Sequence, residues 1–235
     1  MIGLLKALYQ KFKQHADWWA DYTTELSVVI ISITATFYGE NLIENYIESN
    51  EDRQVMQMMV NELEYDLVEL SNIQNHCKDE IAFSELLYRN IIQKENIDEN
   101  IVNRYYNHHR LYYYWFLKNN ALDMTKVSGT MQRMKNKQLL LQLFECYEYI
   151  NIIKDMDTHY REVRIEQLSN FYAHLPNNAH VPTAKEQWKQ IAQDSTFCQY
   201  MLTTLPLMAK SITNTSINTQ KVLHKTINMI NEEYK

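Results

Sequence analysis

Between Glu25 and Glu40 the chain carries no charge, and the run from Leu26 to Gly39 reads LSVVIISITATFYG. Whatever this protein folds into must either bury that run or place it in lipid. At 1.5 Å rise per residue, its roughly 14 residues cover about 21 Å, against a bilayer hydrocarbon core of about 30 Å. A run this short also fits the central core helix of a soluble bundle. The flanks favour lipid. Trp18, Trp19 and Tyr22 precede the run, and such amphipathic rings prefer the headgroup layer. Leu42, Ile43, Tyr46 and Ile47 extend the apolar surface beyond it, so that Glu25 and Glu40 fall near the two interfaces, where charge costs least. The reading is a single membrane span over residues 23–47. A cleaved signal peptide fits less well. Three acids (Asp17, Asp21, Glu25) stand ahead of the run, and the Thr-Phe-Tyr-Gly-Glu that ends it is a poor cleavage site.

Flanking charge gives an orientation. Lys6, Lys11 and Lys13 lie on the N-terminal side, whereas Glu40, Glu44, Glu48, Glu51 and Asp52 all precede the first C-terminal base, Arg53. Basic flanks stay in the cytoplasm. The expectation is a bacterial inner-membrane protein with a cytoplasmic N-terminus and a periplasmic C-terminal domain. Residues 1–22 place Ile2, Leu5, Leu8, Tyr9 and Phe12 on one helical face, with the lysines toward the other. That pattern predicts an amphipathic segment lying in the membrane surface. Residues 48–235 then form the outer domain.

Three Gly and three Pro in 235 residues leave little material for tight turns and predict an all-α chain with few connections. A 4-3 spaced series runs from Val28 through Ser32, Ala35, Gly39, Leu42, Tyr46, Ser49, Arg53, Met56, Val60, Leu63, Leu67, Leu70, Gln74, Cys77, Ile81 and Ser84 to Tyr88 and Ile91. Such spacing predicts a long, coiled-coil-like helix that continues the anchor into an antiparallel bundle, with a kink permitted near Ser49 and Arg53. Within the anchor the series is small (Ser32, Ala35, Gly39), the type that lets helices approach closely in lipid.

NIDEN, residues 96–100, is the first expected loop, with Asp98 as N-cap of the next helix. Tyr105, Tyr106, Tyr112, Tyr113, Tyr114, Trp115 and Phe116 follow. They make either a recognition surface or small-ligand pocket, or rings packed between helices. Gly129 suits a turn with positive φ. A helix is expected from about Met134 to Tyr172, with Leu140, Leu143, Phe144, Tyr147, Ile150, Lys154 and Asp157 along one side. After a proline-bearing loop, TAKE (residues 183–186) forms a capping box, Ser195 caps the last helix, and Pro206 kinks or splits it. Its inner face is expected at Met201, Leu205, Met208, Ile212, Thr215, Thr219 and Val222.

The basic N-tail, the Glu-led apolar run, the polar exit and the stretch VSGTMQRMKNKQL (residues 127–139) together resemble a family of small bacterial single-pass membrane proteins of unknown function. Members carry SSG-x-L-x-x-I-x-N-x-x-L at this place. Here Met131 and Met134 stand for the Leu and Ile. The resemblance implies an anchored helical outer domain, no enzymatic activity and no catalytic residues.

The net charge of −6 argues against nucleic-acid binding. Phosphate-cradling loops, nucleophile elbows, zinc-protease motifs and Glu-x-x-His pairs do not occur, so no cofactor is expected. His76, Cys77, Asp79 and Glu80, the pair His108 and His109, and the pair Asp155 and His159 contain ligand-type side chains. None has the spacing of a known metal motif, and each also fits a solvated or hydrogen-bonded surface group. Cys77, Cys146 and Cys198 are widely spaced and form no disulfide framework. One bridge or buried free thiols both fit. The leading expectation is a non-enzymatic, membrane-anchored helical interaction or scaffold protein that self-associates or meets a membrane partner. A sensor-like bundle with a ligand near residues 105–116 is the second.

Overall fold

The computed structural model describes the backbone of residues 2–110, 115–174 and 184–234. Side chains are described for 26–104, 115–174, 186 and 188–234. The chain is all-α, with no strand among the described residues. Its helices are α1 (Ile2–Ile91), α2 (Glu99–Arg110), α3 (Asn120–Val127), α4 (Thr130–Arg133), α5 (Lys137–Ala173), α6 (Ala184–Gln193), α7 (Ser195–Gln199) and α8 (Leu205–Glu233), with a π-helical turn at Tyr200–Thr204 before α8. The chain divides into two compact units, Met1–Gln54 and Val55–Lys235.

The first unit is the N-terminal part of α1, a helix of 90 residues. No interruption separates residues 2–22 from the apolar run, and Ser49 and Arg53 cause no break. Both are exposed, so their polar groups face no core that would bend the helix around them. The apolar residues from Leu26 to Ile47 are exposed, and none of the most apolar window is buried. This segment is not the core helix of a bundle among the described residues. It is the one described helix long and apolar enough to cross a membrane.

In the second unit, α1, α5 and α8 surround the core. Glu80 meets Arg164 and Glu62 meets Tyr147, so α1 and α5 point the same way. Ser71 meets Gln220, and Gln142 meets Thr226, so α8 runs antiparallel to both. The expected seam is buried at Met56, Val60, Leu63, Leu70, Cys77 and Ser84, while Tyr88 is exposed. A second stripe beside it, Met59, Glu62, Asp66, Ile73, His76, Glu80, Phe83 and Leu87, is buried as well, because α1 is covered from two sides.

Helix α1 ends five residues earlier than NIDEN. Lys94 adopts φ 59°, and the Glu95 N–H returns to the Arg89 carbonyl, a C-terminal closure that usually takes Gly or Asn. Asp98 caps α2, its carboxylate accepting the Asn100 N–H at 2.7 Å. Gly129 takes φ 76° between α3 and α4. A Cβ there would stand 3.2 Å from the Arg133 guanidinium. The Asn136 side chain then accepts the Gln138 and Leu139 N–H groups and starts α5.

On α5, Leu143, Tyr147, Ile150 and Asp157 are buried as expected, but Leu140 and Lys154 are only partly buried and Phe144 is half exposed, and Leu139, Gln142, Cys146, Ile153, Tyr160, Arg164, Leu168 and Phe171 complete the inner face. On α8 the inner face is Leu205, Ala209, Ile212, Ser216, Thr219, Leu223, Thr226 and Ile230. Met208, Thr215 and Val222 lie beside it, partly buried. The small Ala209 and Ser216 are fully buried, so side-chain bulk was a poor guide to burial here. The cap before α7 is Asp194, not Ser195. The Asp194 carboxylate accepts the Phe197 N–H at 2.9 Å, which a residue one place later cannot reach. Thr183 of the expected capping box lies outside the described residues.

Candidate functional site

The strongest concentration of unusual chemistry is the polar row that α1 places inside the second unit. Glu62, Asp66, His76 and Glu80 are all buried. Burying such groups costs several kcal/mol unless they find partners. Glu80 pairs with Arg164 of α5, and Arg164 also donates to the Tyr160 hydroxyl at 2.6 Å. His76 Nε2 lies 3.5 Å from Glu80. Burial opposes the charge on Arg164, but the adjacent Glu80 carboxylate outweighs it and holds the guanidinium above its ordinary range. Burial pushes the Tyr160 hydroxyl well up.

One end of the row holds the chain segment that enters α3. Glu62 accepts the Ala121 N–H at 3.2 Å and receives the Tyr147 hydroxyl at 3.5 Å. Asp66 accepts the Lys118 N–H at 3.0 Å. Burial pushes the Asp66 carboxyl up to about 7, against the lowering effect of that hydrogen bond. At the other end, the Ser84 hydroxyl donates to the Met201 carbonyl at 2.7 Å, and Trp188 Nε1 donates to the Asn90 side chain at 2.6 Å.

The sequence pointed to His76, Cys77, Asp79 and Glu80 as ligand-type or surface groups. His76 and Glu80 are core residues instead, because the second buried stripe of α1 passes through them. No group of three metal-ligand side chains occurs among the described residues. Asp155 and His159 are exposed on α5. The side chains of His108 and His109 lie outside the described residues. Cys77 and Cys146 are buried free thiols, both pushed up to about 12 by burial, and Cys198 is partly buried.

Of the aromatic stretch, Trp115 is buried. It stacks on Tyr160 with ring centroids 5.8 Å apart and meets the His76 ring edge-on at 6.3 Å. Phe116 is 65% exposed, so adjacent rings point into the core and into solvent. Tyr112, Tyr113 and Tyr114, and the side chains of Tyr105 and Tyr106, lie outside the described residues, as do the side chains of Trp18, Trp19 and Tyr22. Trp115 and Phe116 border a cleft of about 480 Å³ with Lys118, Lys154, Asp157 and Arg161. A larger groove of about 690 Å³ lies between α1 and the start of α8, against Ile81, Tyr88, Leu202, Pro206 and Leu207.

In the apolar run, Ser32 and Ala35 are exposed, and a Cβ on Gly39 would meet nothing within 4 Å. The Thr34 and Thr36 hydroxyls donate to the Ile30 and Ser32 carbonyls at 2.7 and 2.9 Å. Both threonine hydroxyls inside the run are thus satisfied within the helix. These features define an all-α protein with one candidate membrane-spanning helix and a helical domain that has its own core. No family model, curated protein or solved structure matches the chain.

Proposed function

We propose that this chain is a single-pass membrane protein that presents a non-enzymatic helical interaction domain outside the cytoplasm. The observation that carries the reading is the wholly exposed apolar segment Leu26–Ile47, next to a unit that already buries a complete core of its own. Exposed side chains such as Ile31, Phe37 and Leu42 form a far larger apolar surface than a soluble monomer tolerates, and lipid is the solvent that accepts it. The internal hydrogen bonds of Thr34 and Thr36 agree with that solvent. The charge asymmetry around the run favours an N-terminus in the cytoplasm and, in a bacterial inner membrane, Lys235 in the periplasm. The small face at Ser32, Ala35 and Gly39 is where a second copy or another membrane helix packs.

Two measurements test this. The protein should stay in the membrane pellet after alkaline carbonate extraction. A reporter active only outside the cytoplasm, fused at Lys235, should be active. Release by carbonate removes the anchor, and a silent reporter on a stable fusion reverses the orientation. A second reading, a ligand-sensing bundle, is favoured by the cleft of about 480 Å³ beside buried Trp115. A ligand retained through purification and lost in Trp115→Ala supports it.

A further inference from the structure

Asp66 is fully buried on α1, and only one of its carboxylate oxygens is used. Oδ1 accepts the Lys118 N–H at 3.0 Å, while Oδ2 is buried without a hydrogen-bond partner. Glu62, one helical turn earlier, accepts the Ala121 N–H. Two acids four residues apart therefore hold two main-chain donors of one short segment. Ala121 lies in the first turn of α3, where helical N–H groups have no partner of their own. The titratable groups acting around Asp66 are Glu62 on α1, Lys118 in the held segment, and Lys154, Tyr147 and Cys146 on α5.

We propose that Glu62 and Asp66 form a proton-dependent clasp on residues 115–121: a proton on Asp66 keeps the segment seated on α1, and its loss loosens the segment. The physical reason is burial. An ionised Asp66 is shut off from solvent and faces the like charge of Glu62, and the Lys118 N–H and Lys154 offset only part of that cost. A protonated Asp66 has no charge to desolvate and still accepts the Lys118 N–H. Its folded value of about 7 stands above the ordinary 3.8 of an exposed Asp. A raised folded value means the seated state binds the proton more tightly than the open state. The hold is then complete below about pH 4 and is lost as pH rises through about 7. Each unit in that window is worth about tenfold in the opening equilibrium. What opening uncovers is apolar. Trp115 and Leu117, now buried on either side of exposed Phe116, come free with the segment.

The test is hydrogen exchange of the full chain in nanodiscs at pH 5.5 and 7.5, corrected for intrinsic exchange rates. Peptides covering 115–127 should open roughly ten- to a hundredfold more at pH 7.5. Asp66→Asn keeps an acceptor oxygen without a charge and should leave these peptides equally protected at both pH values. Glu62→Gln removes the like charge and should move the wild-type midpoint to lower pH. A wild type without the pH effect, or an Asp66→Asn protein that retains it, overturns the clasp. If Asp66→Asn does not fold, the Glu62→Gln profile decides, and an unmoved midpoint overturns the proposal.

Discussion

The contact between Ser84 and Met201 allows a sharp test, because the backbone explains why it exists. In an α-helix the Met201 carbonyl would accept the N–H four residues on, from Leu205. Here the Leu205 N–H bonds instead to the Tyr200 carbonyl, five residues back. The next candidate donor is residue 206, a proline, which has no N–H. Met201 is buried, so its carbonyl would be an orphan, and the Ser84 hydroxyl reaches across from α1 to fill the gap at 2.7 Å. Ser84→Ala removes that donor and strands the carbonyl, which costs about 1–3 kcal/mol. Pro206→Ala returns an N–H and lets the π turn relax to α, so the Leu205 N–H recovers the Met201 carbonyl. In that background Ser84→Ala should cost clearly less, leaving a coupling energy of about 1 kcal/mol or more. The assay is denaturant unfolding of the four proteins, followed by far-UV circular dichroism in one detergent. Strictly additive costs would refute this account of the π turn.

Other residues give further expectations. Lys94 holds a left-handed conformation, so Lys94→Gly should stabilise the second unit by about 0.5–1 kcal/mol in the same unfolding assay. Arg164→Leu takes the guanidinium away from buried Glu80 and should cost about 3–5 kcal/mol, whereas the double change with Glu80→Leu should recover most of that loss. Gly39→Leu and Ser32→Leu should each weaken association in a membrane two-hybrid assay, by about 1–2 kcal/mol where the small face is the contact. Ile30→Leu, on another side of the helix, should not. Equal association in all three would reduce the anchor to a tether.

The helical fold was legible because its rules are local. Scarce Gly and Pro, a 4-3 apolar series, Asp98 before α2, Gly129 in its turn and Pro206 at a helix start each act through their own backbone or nearest turn. The 4-3 series stops at Ile91, where α1 ends, but the left-handed closure at Lys94 was not legible, because Lys is an unusual residue there. The buried polar row was missed for a different reason. Glu62, Asp66, His76 and Glu80 fall at helical spacing beside the apolar seam, but a charged residue on a helix is ordinarily a surface residue. Only their partners, Ala121, Lys118 and Arg164, far away in sequence, show that the stripe is inside. The signal available in the sequence was the spacing itself, 62, 66, 73, 76, 80, 83 and 87, which skips only the turn at Glu69 and otherwise steps by three or four through the polar members.

That row also answers a question the apolar seam leaves open. A 4-3 series of Leu, Ile, Met and Val packs almost as well after a slip of seven residues, so it sets the contact face better than it sets the register. The polar positions do not tolerate the slip. Leu143, Ile150, Asp157, Arg164 and Phe171 occupy the same heptad position on α5, and all five are buried. Sliding α5 by one heptad would set either Asp157 or Phe171 against Glu80 in place of Arg164. The first choice faces two carboxylates across a dry interface, and the second takes the guanidinium away from buried Glu80. Further along α1, Ser84 matches the Met201 carbonyl, and Asn90 matches the one N–H of the Trp188 ring. Each later segment thus docks at a different polar residue of α1, and each residue accepts one register. The stability these groups forgo relative to apolar residues is the cost of a single alignment.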